Sequence, residues 1–491
     1  MEATTLNSAS GYPSTVMKEA LTASVAAPPS EDIAVFIDKQ EKLDYIGANQ
    51  ECAAAAAAAA TLVLSEVPQK SAPSPLNVKV LDVDCHMPQR KSTFFQANVN
   101  CVSMLCGLGI LSSPFAIAQA GWMGAILGLA IAIAYAYGAD LMSRCARWNA
   151  NHGGGAGTYQ AVAQEVLGRR FKGIITSLFY IEILGTLVGY CISMGDNLAY
   201  LFPHSDLHLP GLSSRNVMIF AAAMIMLPSV WVRDLSALSF TSIWCIVSSV
   251  LLIIAVFLSA TVSGIGFTHA IPFLRLRGVP VAAGLYAFSF GGTSVFPSIC
   301  ISMRDPTKFS KAVILSFVIT TISMLGLGIM GASMFGEATK DQITLNMPLH
   351  SITTKIILWM TVLTPMFKFA LQLSPITTSL EVAIYKHCKA SPNLLYGLST
   401  LMRSAVLACI AIFSMIFPYF EYIVAFVGSS MTIAICLFFP CAFYLKIFWP
   451  KLKIRIRATI LTLMILGLIV GVTGTFVSVR GLITKRASSS A

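Results

Sequence analysis

Two ionisable residues stand deep inside apolar stretches of this chain: Glu182, about ten residues into the stretch 172–201, and Lys368, about thirteen into 355–385. A charge held at bilayer depth costs from about 2.5 to well over 10 kcal/mol, so each should face a protein interior or water rather than lipid. Three readings are open. They form a structural ion pair, either side chain snorkels to the interface, or they handle a proton, since a buried lysine can surrender one and a carboxylate can accept one. Other polar groups in apolar stretches have simpler readings. Asp140 and Glu381 lie near stretch ends, where water or an Arg/Lys partner accounts for them. Asp196 with Asn197 lines a vestibule or caps a helix, and Tyr180 and Tyr190 wall a pocket or pack. The seven histidines form no close metal-ligand cluster, and neither a catalytic triad nor a phosphate loop is present. His152 with Gly153–Gly157 is glycine-rich but lacks the Lys-Ser/Thr ending of a nucleotide loop. The chemistry on offer is ion handling, with no catalytic residue, no metal site and no cofactor.

Two further patterns could bind a ligand through the backbone. The first apolar stretch contains Cys106-Gly107-Leu108-Gly109-Ile110-Leu111-Ser112-Ser113-Pro114, and the sixth contains Phe288-Ser289-Phe290-Gly291-Gly292-Thr293-Ser294-Val295-Phe296-Pro297. Glycines and a proline so close together interrupt a helix. Lipid cannot satisfy the freed N–H and C=O groups, so such breaks are tolerated where they pack in protein or line a cavity. Breaks five helices apart are what a five-plus-five inverted repeat produces. In that design half-helix N-termini aim N–H groups at an anionic group, and unwound carbonyls hold a cation. Close packing through small residues is the competing explanation. The ligand-facing backbone would then be Gly107, Leu108, Gly109 and Ile110 in the first stretch, and Phe288, Ser289, Phe290 and Gly291 in the sixth, with Lys368 and Glu182 as coupling groups.

The elements that must position these residues follow from composition. The 491-residue chain is 56% hydrophobic and 11% charged, with a mean hydropathy of +0.75. Soluble domains carry about 25% charged residues, so an all-α integral membrane protein is expected. Residues 1–91 hold 7 Lys/Arg and 11 Asp/Glu, and the remaining 400 hold 26 and 11. An acidic tail therefore precedes a basic membrane body, and since the basic residues are spread between apolar segments they do not make a nucleic-acid surface. The tail reads as disordered and cytosolic, with Ala53–Ala60 too short to hold a helix in water and Asp32–Leu43 a short amphipathic segment or a solvated linker. Ten of the 12 cysteines lie in or beside apolar runs, which argues against a disulfide framework. Spans of about 20 apolar residues are expected at 94–118, 122–146, 172–201, 215–232, 235–263, 279–302, 308–335, 355–385, 394–417, 419–446 and 457–480, eleven in all, with the join at Pro418 deciding between an odd and an even count. With the N-terminus in the cytosol, loop Lys/Arg divide 19 inside to 8 outside, the asymmetry that sets orientation. Three regions result: a tail 1–91, a membrane domain 92–480 and a short C-terminal tail 481–491.

The stretch Asn100–Gly124, with Gly-Leu-Gly-Ile-Leu-Ser-Ser-Pro-Phe-Ala and Gln-Ala-Gly-Trp-Met-Gly, resembles the first-helix signature of the amino acid/auxin permease family, and within it the plant and fungal vacuolar amino acid transporters. Thr158-Tyr159, Gly195-Asp196-Asn197-Leu198, Val295-Phe296-Pro297-Ser298-Ile299, Met303-Arg304-Asp305-Pro306, Met334-Phe335-Gly336-Glu337, Thr344-Leu345-Asn346-Met347-Pro348, Lys368-Phe369-Ala370-Leu371 and Ser374-Pro375 match in order. The resemblance spans about residues 92–480. It implies eleven spans, a LeuT-like core of the first ten plus one extra helix, and transport of neutral amino acids coupled to protons. Many relatives have Gly-His in the sixth span where this chain has Gly292-Thr293, so no histidine role carries over. The expected protein is a secondary active transporter whose partners are a neutral amino acid, protons and the lipid bilayer, with the vacuolar membrane as its expected location. The alternatives are a plasma-membrane amino acid or auxin symporter, or a non-transporting amino-acid sensor.

Overall fold

The computed structural model describes residues 92–152, 158–203, 213–231, 238–262, 264–349, 351–387 and 392–490. The N-terminal tail, with Asp32–Leu43 and Ala53–Ala60, and the run Gly153–Gly157 lie outside the described residues. The first span is a pair of helices, α1 (Phe94–Leu105) and α2 (Leu108–Ala120), bent by 51°. α3 (Trp122–Asn151) is the second span, and a short helix α4 (Tyr159–Leu167) leads into the third, α5 (Arg169–Leu201). The fourth and fifth are α6 (Ser214–Trp231) and α7 (Leu238–Thr261). In the sixth, α8 (Val279–Ser289) and α9 (Phe296–Ser302) are joined by a 3₁₀ turn, Gly291–Val295. The seventh, eighth and ninth are α10 (Phe309–Phe335), α11 (Ile352–His387) and α12 (Pro392–Ile416). The tenth is α13 (Phe420–Val427), two π-helical turns (Gly428–Thr432 and Ala434–Phe438) and α14 (Phe439–Phe448); the eleventh is α15 (Ile454–Ser490). The chain is an all-α, multi-pass membrane protein. Pro418 falls in the gap between α12 and α13, so the ninth and tenth spans are separate.

Both expected breaks are present. The first lies at Cys106–Gly107, and Pro114 sits inside α2. A proline there cannot bond the carbonyl four residues back, and the Ser113 hydroxyl takes that carbonyl, Ile110 O, at 2.9 Å. In the sixth span Pro297 occupies the first turn of α9, where its missing N–H costs nothing. Small residues let the broken helices meet backbone to backbone. A Cβ on Gly109 would stand 2.1 Å from Ser289 Oγ and 2.5 Å from its Cα, and one on Gly292 would stand 2.5 Å from Met104 O. Gly428 of the tenth span seats in the same way on Gly284 O.

The outer faces are apolar, as lipid requires. α15 is the extreme case: little of its apolar stretch is buried, with Ile465, Leu468 and Phe476 exposed. α4 was not anticipated as a helix. Thr158 caps it by accepting from Ala161 N, and the Tyr159 hydroxyl donates to Ile435 O at 2.8 Å, anchoring it to the π-helical part of the tenth span.

Candidate substrate site

The two breaks and the eighth helix enclose a cavity of about 430 Å³. Gly107, Leu108, Gly109, Phe288, Ser289 and Gly291 line it, together with Glu182 and Lys368. The side chains of Ile110 and Phe290 pack outside it. Ile110 has turned into α2 and lines a separate 40 Å³ pocket against α7 and α11. Phe290 is fully buried and stacks on Phe317 of α10, with ring centroids 5.6 Å apart. Ile110 belongs to α2, which starts at Leu108, and Phe290 directly follows the end of α8.

Lys368 is 6% exposed, and its ammonium is held by the broken end of α1. Nζ donates to Ser103 O at 2.7 Å and to Cys106 O at 2.9 Å. Cys106 O is free for this because the chain bends there. Cys245 Sγ, from the fifth span, donates to the same Cys106 O. The cationic group is thus held by carbonyls at the bend of the first span. Just beyond it, α2 begins. The N–H groups of Leu108 and Gly109 have no carbonyl one turn back to bond, so the positive end of a helix faces the cavity. Tyr190 lines the same region: a Cβ on Gly107 would sit 3.6 Å from its hydroxyl and 3.8 Å from Lys368 Nζ.

Glu182, also 6% exposed, faces the break in the sixth span. A Cβ on Gly291 would lie 3.5 Å from its Oε1, and the Thr432 side chain stands beside it. No ion pair joins Glu182 to Lys368 among the described residues, which removes the structural-pair reading of these two. The cavity therefore carries a cation fixed on carbonyls and a carboxyl group without a cationic partner. Between them lie apolar walls from Phe179, Ile183, Leu371 and Ile299.

The other candidates resolve into structural contacts. Asp140 bonds Arg144 at 2.9 Å and accepts from Ser310. Glu381 bonds Arg403 at 2.8 Å, and Asp196 pairs with both ends of the Arg215 fork at 2.8 and 2.9 Å. Tyr180 bonds Ser379 at 2.5 Å outside the cavity, and His152 stacks on Trp148. Asn197 works in a seal. Its Nδ2 donates to Gln342 Oε1 at 2.9 Å, Ser193 donates to the same oxygen at 2.5 Å, and the Thr344 hydroxyl donates to Asn197 Oδ1 at 2.7 Å. These residues are fully buried, so the loop between the seventh and eighth spans plugs the bundle on the side where α5 ends. The cavity lining includes Asn100, Ser298, Gln372 and Ser374, which extends it toward the opposite side, where α1 begins and α11 ends.

Fold and site define a class that binds and moves a small solute, and the comparisons with known proteins agree. Residues 90–484 match the family model described as transmembrane amino acid transporter protein. Amino acid transporter AVT1H of Arabidopsis thaliana is 38% identical over 397 residues, covering 80% of this chain and 91% of that one. AVT1E of the same plant is 34% identical over 80% of this chain and 74% of its own length, and amino acid transporter ANT1 is 24% identical over 80% and 93%. The chain belongs to the transmembrane amino acid transporter family, whose members are transporters and not enzymes.

Proposed function

We propose that this protein is a proton-coupled secondary active transporter of neutral amino acids, resident in the vacuolar membrane with its N-terminus in the cytosol. The observation that carries the reading is the Lys368 ammonium seated on Ser103 O and Cys106 O beside the open start of α2. A zwitterion has a carboxylate and an ammonium on one carbon. Its carboxylate suits the Leu108 and Gly109 N–H groups and the nearby positive charge. Its ammonium suits the carbonyl edge of the sixth-span break and Glu182. The apolar walls then take an uncharged side chain. Lys368 supplies permanently the positive charge that related sites borrow from sodium, so uptake needs no sodium. Glu182 carries the proton. With no cation beside it, a carboxylate at this depth is costly; it holds a proton when the cavity is empty of an ammonium and releases one during the cycle. The vacuolar location rests on the first-helix signature, and the inside orientation on the Lys/Arg asymmetry of the loops. The test is uptake of labelled amino acids by proteoliposomes with sodium and pH varied independently. Stimulation by a pH gradient in sodium-free buffer is expected, and sodium-driven uptake at constant pH refutes it. Saturable binding without any uptake would identify a sensor instead.

A further inference from the structure

On the side of the bundle where α5 ends, beside the Asn197–Gln342 seal, a second cavity of about 960 Å³ lies between α2, α8, α13, α15 and the plug loop. It shares no lining residue with the substrate cavity. Five cations line it: Arg215, Arg277, Lys340, Arg480 and Lys485. The sequence supplies only eight Lys and Arg to the loops and span ends of this side. Five of them on one cavity run against the tendency that keeps basic residues on the other face.

Two of the five are committed to carboxylates. Arg215 pairs with Asp196 at 2.8 Å, and Lys485 Nζ bonds Glu421 Oε1 at 2.6 Å. Arg277, Lys340 and Arg480 have no carboxylate partner among the described residues; Lys340 lies over the Tyr200 ring, 5.2 Å from its centre. Asp341 is the remaining carboxyl of the lining, and its Oδ1 accepts from Gln342 N at 3.1 Å. Desolvation, with Glu421 and Asp196 nearby, holds it toward the neutral form, so it offsets the three cations only in part. The backbones that present two of them are closely seated. A Cβ on Gly278 would stand 2.0 Å from Gln119 O, and one on Gly481 2.2 Å from Tyr422 Cε1. The chain beside Arg277 therefore packs on α2, and the chain beside Arg480 on α13.

We propose that this cavity binds an anion carrying two or more phosphate groups, held by Arg277, Lys340 and Arg480, and that the bound anion restrains the plug. Three unpaired cations brought to one cavity by separate elements repel one another, and a polyvalent anion among them removes that repulsion. Guanidinium forks match phosphate oxygens two at a time, and the lysine adds a point charge. The cavity is far larger than a halide or a single phosphate, which favours a ligand with several charged groups. Lys340 stands two residues before Gln342, whose Oε1 takes the hydrogen bonds of Ser193 and Asn197 in the seal. An anion that ties Lys340 to Arg277, at the head of the sixth span, and to Arg480 of the eleventh therefore slows opening on this side. The same phosphate chemistry arrives free in solution or as a lipid headgroup, since α15 presents an apolar face to the bilayer. The site does not depend on which ion drives transport.

The test uses the purified full chain with pyrophosphate as the probe, and Arg277→Gln, Lys340→Gln, Arg480→Gln and the triple variant. All three side chains are exposed, so their replacement leaves the packing intact, and an unchanged melting temperature checks this. Calorimetry in detergent at fixed ionic strength should show saturable binding of pyrophosphate, weakened about tenfold by each single change and lost in the triple variant. Chloride at equal ionic strength should not compete. In proteoliposomes with pyrophosphate on both faces, exchange of labelled amino acid should slow in the parent protein and not in the triple variant, each read against its own rate without pyrophosphate. Vesicles containing a phosphatidylinositol bisphosphate form the second arm. Slowing there that the triple variant loses, with no binding of free pyrophosphate, supports the site and assigns its ligand to a headgroup. A parent protein that responds to neither probe overturns the site, and so does equal competition by chloride, which is the mark of charge screening. Binding that persists in the triple variant places the anion elsewhere and overturns it too. Binding without slowed exchange overturns the restraint on the plug. If the protein moves no amino acid at all, the transport reading fails while calorimetry still decides the anion site.

Discussion

Replacing Lys368 with alanine removes two charge-assisted hydrogen bonds, to Ser103 O at 2.7 Å and Cys106 O at 2.9 Å. Bonds of this kind contribute about 1.5–3 kcal/mol each, so roughly 3–6 kcal/mol of positioning is lost. Water entering the vacated space recovers part of it by bonding the two carbonyls, which puts the expected effect near the lower end, about a hundredfold in substrate affinity. Two carbonyls and an empty space the size of an ammonium also remain, and a small cation fits there. Sodium should therefore partly restore binding to Lys368→Ala while leaving the parent protein unaffected. Lys368→Arg keeps the charge, but its planar fork is wider than an ammonium and must share Cys106 O with Cys245 Sγ. Its transport should fall more than tenfold. The assay is labelled amino acid binding to purified protein, with and without sodium, at matched abundance. Lys368→Ala with parental affinity, or Lys368→Arg with parental transport, would refute the idea that this lysine stands in for a cation.

Three further outcomes follow from the geometry. Gly107→Ala places a methyl at ordinary contact distance from Tyr190 and Lys368, so it should express normally and raise KM about tenfold, whereas Gly109→Ala drives a methyl into the Ser289 backbone and should lose folded protein on size-exclusion chromatography. Asn197→Ala strips three hydrogen bonds from the buried seal and leaves Gln342 and Thr344 short of a partner, a cost of about 1–3 kcal/mol; thiol labelling of a cysteine placed at Thr186 should become faster from the sealed side. Burial, with Glu421 and Asp196 close by, pushes the Asp341 carboxyl well above the ordinary carboxylate range. A raised pKa means that the folded state binds the extra proton, so this contribution to stability is complete below the ordinary range and is lost as pH rises through the raised value. Melting temperature should fall as pH is taken from acid toward neutral, and Asp341→Asn should flatten that slope; an unchanged slope in the variant would assign it to another group.

The sequence shows its helices more readily than its cavity. Span positions were legible because lipid demands long apolar stretches, and both breaks because glycine and proline cluster there. The seat of Lys368 on Ser103 O and Cys106 O was one of several places open to a lysine at that depth, beside an ion pair with Glu182 and snorkelling to the interface. Less visible was where each break ends. Ile110 and Phe290 adjoin Gly109 and Gly291 in the chain, yet the side chain of the first packs from α2 against α7 and α11 and that of the second stacks on Phe317. The π-helical turns of the tenth span left almost no trace, because 419–446 is uniformly apolar and only Gly428-Ser429-Ser430 hints at a change. Thr432 was missed for that reason. The Glu182–Lys368 pair was a fair reading of two opposite charges in one bundle, but sequence distance says nothing about which wall of a cavity each occupies.

The central claim is that a proton gradient, and no sodium gradient, drives an uncharged-side-chain amino acid through this protein. The most direct measurement is labelled uptake into proteoliposomes carrying the purified full chain, under an imposed pH gradient in sodium-free buffer, across a panel of neutral, acidic and basic amino acids. The account predicts accumulation of neutral amino acids above the equilibrium level, abolished when a protonophore collapses the gradient. Accumulation that survives the protonophore and follows sodium, or a preference for acidic or basic amino acids, would contradict it.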